Sequence, residues 1–390
     1  MISNLWKLYA IRFFHSLIPA YVIERLFWEE RGMTIPMVVY AEIIYAVTIV
    51  LLEIPTGIVA DRWSRKGMIV LAALLGALEF LILVFATAFW HFALVVFLAA
   101  VGRSASSGAD NALLYDSLLA ENKEGLFERY LGRLNAIDIA ATMIAALSGS
   151  LLAGRYGFAF NYWISFGSML ICLLLTFLLR EPPAKRDAED GRPVPVREYV
   201  TASLRFFRSR PGVTLVVLTG MITGAAISYI DEFWQIYLER IGVPVTAFGL
   251  FSAAFFVVRL PGNLLAHALK QRFAMRSLLL SATLAFAAGF AYLAYAPHGG
   301  GLAALLLIGL FAGMMEPLAS GYLHHRIDSS MRATLDSFQS LGANAALVVT
   351  GLGFGYAASR LDVFGGFGFL GVVCGVYFVY LFFASKKTAV

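Results

Sequence analysis

Charge is scarce in this chain, and cysteine scarcer still. Charged residues make up 14% of the 390 positions and only two are cysteine, whereas a soluble domain carries about 25% charge. Cys172 and Cys374 each lie inside an apolar run, which excludes a disulfide framework and reads as helix packing. No HExxH pair, no GxxxxGK loop and no clustered Cys/His set occurs, so neither a metal centre nor a cofactor is expected and enzymatic chemistry has no candidate constellation. His324 and His325 stand side by side and read as a solvated pair near phospholipid. No basic patch interleaves with aromatics, so the net charge of +5 and the pI near 9.1 do not point to nucleic acid. The N-terminus has no short apolar core followed by a small-residue cleavage site, and the first apolar segment is expected to be retained.

Apolar residues fill the space that charge leaves: they are 60% of the chain, with a mean hydropathy of +0.77. A bilayer core of about 30 Å needs roughly 20 apolar residues per helix. By that measure twelve spans are expected, at 5–27, 37–60, 68–88, 91–119, 129–153, 158–179, 212–238, 245–266, 274–296, 300–323, 333–357 and 363–385. The fold expected is an all-α membrane protein of two six-helix bundles, 1–180 and 212–390, joined by a proline-rich, basic linker over 181–211. Placing both termini in the cytoplasm puts about 23 of the Lys/Arg residues inside and leaves Arg25, Arg31, Arg155, Arg240 and Arg360 outside, which fixes the orientation expected.

The two halves repeat weakly. A shift of 206 residues lays Ile54-Pro55 on Leu260-Pro261, Ala60 on Ala266, Asp110 on Glu316 and Asp138 on Asn344. Two related halves with a site between them is a transporter architecture.

The stretch from Glu53 to Lys66 ends one apolar segment in small residues, gathers charge, and runs at once into the next. Its Gly57, Ala60, Asp61, Arg62, Arg65 and Lys66 resemble the loop signature of the major facilitator superfamily, with Ser64 where that signature usually has glycine. Arg103 to Asp116 resembles the family's fourth-helix motif, with serines in place of its glutamine and glycine. The resemblance implies a secondary transporter working by alternating access, with a cytoplasmic latch of Gly57, Asp61, Arg62, Arg65, Lys66 and Asp116, the last expected beside Arg62 or Arg65. Ser329 or Ser330 is expected to cap the eleventh span, whose positive end would attract Asp61. The fifth-helix glycine-proline motif of the family's antiporters is matched by Ala145 to Gly154 without its proline.

A charge at the bilayer centre costs about 2.5–3.5 kcal/mol, against a gain of about 0.3–0.6 kcal/mol for a leucine there. Acids and arginines inside spans therefore imply a wet cavity or direct pairing. Arg103, Ser107, Asp110 and Asn111 share roughly one helix face; Arg103 and Asp110 either pair or serve a central cavity. Glu316, before Pro317, Asp138 on the fifth span and Arg259 on the eighth are the other candidates for proton coupling; a cytoplasmic arginine is the alternative partner for Asp138. Glu24, Asp231, Glu232 and Gln235 lie toward the outer ends and form a candidate gate. Glu42 and Glu79 are left without a role. The expectation is a monomeric, proton-coupled exporter of a small amphipathic organic compound in the cell's inner membrane, with proton-linked uptake of a nutrient or metabolite as the alternative.

Overall fold

The computed structural model describes residues 4–62, 64–181, 205–295, 298–324 and 332–387, which are helical with short turns and contain no strand. Ser329, Ser330 and most of the expected linker, 182–204, lie outside the described residues. The long helices are α1 (Asn4–Ser16), α3 (Ile35–Arg62), α4 (Arg65–Val84), α5 (Phe89–Leu119), α6 (Phe127–Tyr156), α7 (Phe158–Phe177), α8 (Pro211–Arg240), α9 (Phe248–Arg272), α10 (Met275–Tyr295), α11 (Gly300–His324) and α12 (Arg332–Lys387), with the short α2 at Glu24–Glu30.

Ten helices among the described residues are long and apolar enough to cross a membrane. One of them, α12, holds two spans, because Leu361 and Asp362 leave helical geometry and Asp362 takes a positive φ of 56°. The first span adds another, so the expected twelve are present, but it is not the continuous helix expected over 5–27. It runs as α1, a 3-10 turn over Pro19–Ile23, and α2. Proline has no N–H and its ring crowds the turn before it, and the chain passes Pro19 in a 3-10 turn, whereas Pro55, Pro261 and Pro317 are carried inside helices.

Lipid leaves freed backbone groups no water to bond, so the protein must supply partners. Asn161 on α7, fully buried, donates from Nδ2 to the Pro19 carbonyl at 3.0 Å and to the Gly149 carbonyl at 2.8 Å, and the Ala20 N–H donates to Ser165 Oγ at 3.0 Å. Gly149 is needed at that crossing, since a Cβ there would sit 2.5 Å from the Pro19 carbonyl oxygen. Asn161→Ala strands two buried carbonyls and is expected to cost about 1–3 kcal/mol, read as a lower melting temperature in detergent with Asn161→Gln as the partial rescue.

Contacts divide the chain into two units, Met1–Ala188 with Val243–Ala253, and Glu189–Gly242 with Ala254–Val390. Residues 243–253 pack within the first unit: a Cβ on Gly249 would lie 2.4 Å from the Ala146 carbonyl oxygen. In the first unit α4 packs on α5 and α7, α5 on α3, and α1 on α6 and α7. Its core includes Leu8, Ile69, Ala73, Leu113 and Cys172. In the second, α12 packs on α10 and α8, and α8 on α11, around Val216, Leu279, Met315, Leu323 and Leu381. There the Tyr377 hydroxyl donates to the Leu215 carbonyl at 3.1 Å and lies 3.0 Å from Thr219 Oγ1, so this buried phenol is satisfied.

Large apolar side chains cover the outside, among them Leu264 at 79% and Val349 at 71% exposure. In water such a surface would aggregate, whereas in acyl chains it is the solvated face. Exposed Trp6, Trp90, Tyr156 and Tyr295 sit at helix ends, where aromatic rings settle at headgroup depth. Both proline-bearing repeats, Pro55 in α3 and Pro261 in α9, fall inside helices.

Candidate functional site

Five polar side chains gather inside the first unit. Arg12, His15 and Ser16 come from the last turns of α1, Asp110 from α5 and Asp138 from α6. Arg12 Nη2 lies 3.8 Å from Asp110 Oδ2, and Ser16 Oγ donates a short hydrogen bond to Asp138 Oδ1. His15 stands within electrostatic reach of Asp110, Arg12, Asp138 and Arg103. Beside them a crevice with room for a few waters is lined by Arg12, His15, Ser106, Asp110, Asn111 and Thr176, with Leu8, Ile69 and Cys172 as its apolar wall. Arg12 and Asp110 are each partly exposed to this space, at 25% and 34% of their side chains. The arrangement places two carboxylates, an imidazole and a guanidinium on three helices beside a crevice with room for water, which is what passing a proton between side chains requires.

Asp110 thus has Arg12 as its ion-pair partner and not Arg103, which is exposed and has no ion pair among the described residues. Asp138 takes a serine hydroxyl where an arginine was the alternative; Arg133 instead lies over the Tyr130 ring at 5.5 Å. Arg12 and His15 were missed by sequence reasoning. Their signal was a pair of cationic side chains three residues apart inside an apolar segment.

In the second unit Arg259 Nη2 donates to Asp231 Oδ1 at 2.5 Å and its guanidinium covers the Phe255 ring at 4.3 Å. A residue expected in the cavity is therefore joined to one expected at the gate. Glu232 is half-buried and Gln235 buried on the same helix. Glu316 is exposed on α11 and has no hydrogen bond or ion pair among the described residues.

Glu24 does not stand alone at an outer end. Arg25, only 5% exposed, lies 3.7 Å from Glu24 and donates to Glu42 Oε1 at 2.8 Å, with its guanidinium 4.4 Å from the Trp28 ring.

At the loop, the surroundings of Gly57 and the side chains of Asp61 and Arg62 lie outside what is described, though the backbone of all three belongs to α3. The structure brings Arg65 and Asp116 together in a short ion pair. Ser64 caps α4, accepting from the Gly67 N–H at 2.8 Å, and Glu181 accepts from the Arg65 and Lys66 N–H groups, each at 2.9 Å. A carboxylate at a helix N-terminus meets unpaired N–H groups and the positive end of the dipole. Lys66 Nζ donates to the Phe177 carbonyl at 2.8 Å, tying this corner to the end of α7.

The family model described as Major Facilitator Superfamily matches residues 8–239, more than half of the chain. The chain belongs to the Major Facilitator Superfamily. Among this superfamily member's curated relatives, the multidrug resistance protein MdtG of Citrobacter koseri is 27% identical over 248 residues, 61% of this chain and 57% of that protein. An uncharacterized transporter of Buchnera aphidicola subsp. Schizaphis graminum is 29% identical over 136 residues, 35% and 33% of the two chains. The chain spans between a third and three fifths of the length of the curated relatives it matches. The crystal structure of the nucleoside transporter NupG superposes with a TM-score of 0.78 at 15% identity, covering 98% of this chain and 99% of that one. At that identity the likeness shows the fold, and it does so over nearly the whole length. These relatives and neighbours are transporters and not enzymes.

Proposed function

We propose that this chain is a proton-coupled secondary active transporter that exports a small amphipathic organic compound by alternating access. The observation that carries the coupling is the gathering of Arg12, His15, Asp110 and Asp138 around a crevice with room for water in the first unit. Buried acids that could be neutral are rare in membranes because they are costly, and they persist where a proton must be taken up and released. Asp110 is the group that cycles the proton, Arg12 sets its charge state, and His15 with Asp138 passes the proton on. In the second unit Glu316 is the carboxylate free to take part, and the Arg259–Asp231 pair is the gate. Arg65 and Asp116 act as the latch, closed in this structure and opened in the other state of the cycle.

Amphipathic export is supported by the relatives named for multidrug resistance and by the 32 Phe, 17 Tyr and 6 Trp available to line a binding site. The working protein is a monomer in the cell membrane with both termini in the cytoplasm. In energised everted vesicles, adding a transported lipophilic cation should collapse part of the proton gradient within the time of uptake. Uptake symport predicts the opposite sign of proton movement, and no proton movement with any transported compound would overturn the coupling.

A further inference from the structure

Where α10 begins and α12 ends, the second unit holds two cations against one ring. Arg276, half-buried on the first turn of α10, donates from Nε to the buried Ser385 Oγ at 3.0 Å. Its guanidinium lies 6.0 Å from the centre of the Phe382 ring, and the Lys386 ammonium lies 4.3 Å from the same centre. No carboxylate pairs with either cation among the described residues. Two like charges this near raise each other's energy, which an anion beside both relieves. The bond to Ser385 uses Nε and fixes the guanidinium plane. That leaves the Nη groups for an acceptor, and such a fork suits the paired oxygens of a phosphate.

The surface of α12 says which kind of phosphate. Val372, Val376, Val379 and Phe383 are each more than half exposed and recur every three or four residues, so they form one stripe along the helix. Lys386 continues that stripe by another turn, with its ammonium 5.8 Å from the centre of the Phe383 ring. From Val372 to Lys386 the stripe rises about 21 Å, enough to cross one leaflet of a bilayer core about 30 Å thick. A phosphate dissolved in water gains nothing from it. A phospholipid lays an acyl chain along the valines while its headgroup meets the cations. Two positive charges without a carboxylate also favour an anionic headgroup over a zwitterionic one, whose own ammonium they would repel.

We infer that this corner of the second unit binds one anionic phospholipid, with Arg276 and Lys386 on the phosphodiester and the stripe from Val372 to Phe383 under an acyl chain. The site stands apart from the polar cluster of the first unit and does not depend on what is transported or on proton coupling.

Native mass spectrometry of the full chain, in detergent micelles with equal amounts of dioleoylphosphatidylglycerol and dioleoylphosphatidylcholine, tests this without any substrate. The wild type is expected to retain phosphatidylglycerol in preference. The double variant Arg276→Gln/Lys386→Gln should bind it about 25-fold more weakly, at about fivefold for each cation removed near the membrane surface. The control Lys270→Gln/Arg272→Gln takes the same charge from the neighbouring end of α9 and should stay near the wild type. Equal losses in the two pairs would mean a diffuse attraction and overturn the site, as would no loss in the first. Should the first pair not fold, Lys386→Gln alone, an exposed side chain at a helix end, is expected to weaken binding about fivefold, and wild-type affinity there overturns the assignment. Glycerophosphoglycerol, the headgroup without its chains, should leave the bound lipid in place; displacement at equal concentration would make this a site for a soluble anion and overturn the lipid.

Discussion

Asp110→Asn is expected to lower substrate-driven proton flux in reconstituted vesicles by about 100-fold or more, the low end of what positioned proton-transfer groups contribute. Exchange of labelled substrate across the same membrane, which needs no net proton movement, should persist. Asparagine keeps the shape and a hydrogen bond toward Arg12, which lies 3.8 Å away, so yield and melting temperature should stay near those of the wild type. What it cannot do is gain and lose a proton. Leu8 and Ile69 beside it offer no alternative carrier, and in the proposed relay His15 and Asp138 receive the proton from Asp110. Asp110→Glu, longer by one methylene, should retain part of the flux. Wild-type proton flux in Asp110→Asn would sink the assignment, whatever the helix count.

Arg25→Met is expected to be the most destabilising single change, by about 3–5 kcal/mol. The side chain is 5% exposed, its two ends of charge are Glu24 and Glu42, and its guanidinium covers Trp28. Methionine of similar length fills much of the space but removes the guanidinium with which Glu24 and Glu42 pair. The double variant Arg25→Met/Glu42→Gln should recover part of the loss, because replacing a buried pair together is far milder than breaking it. Denaturation in detergent measures both. Equal stability of the single and double variants would mean that Arg25 and Glu42 are not energetically coupled.

The span count was legible because hydropathy adds up along the chain and needs no partner. Pro19 carried a readable warning of the break in the first span, but its remedy did not: Asn161 is 142 residues away, and nothing in a linear sequence says that an amide on α7 meets a carbonyl on the first span. The charged residues divide the same way. Depth and face could be read for Asp110, while the choice of Arg12 over Arg103 as its partner depends on α1 lying against α5. Arg103 shares a helix with Asp110, which made it the natural expectation; seven residues along a helix are about 10 Å of rise, beyond the reach of a direct bridge without both side chains bending together. Arg259 announced that it needed an acid, and only the approach of α9 to α8 made that acid Asp231. Glu42 and Glu79 were given no role because the family resemblance puts their helices off the cavity.

The interruption before Pro19 has a mechanical meaning. The Ile18 N–H turns to the Ser16 carbonyl and the Tyr21 N–H to the Ile18 carbonyl, so the α-helical ladder does not run through this point, and swinging α1 about it would rupture no rung. Arg12, His15 and Ser16 all ride on that swinging half. A tilt of one short rod could therefore part Arg12 from Asp110 and Ser16 from Asp138 in a single stroke, while the anchor on Asn161 stays where it is.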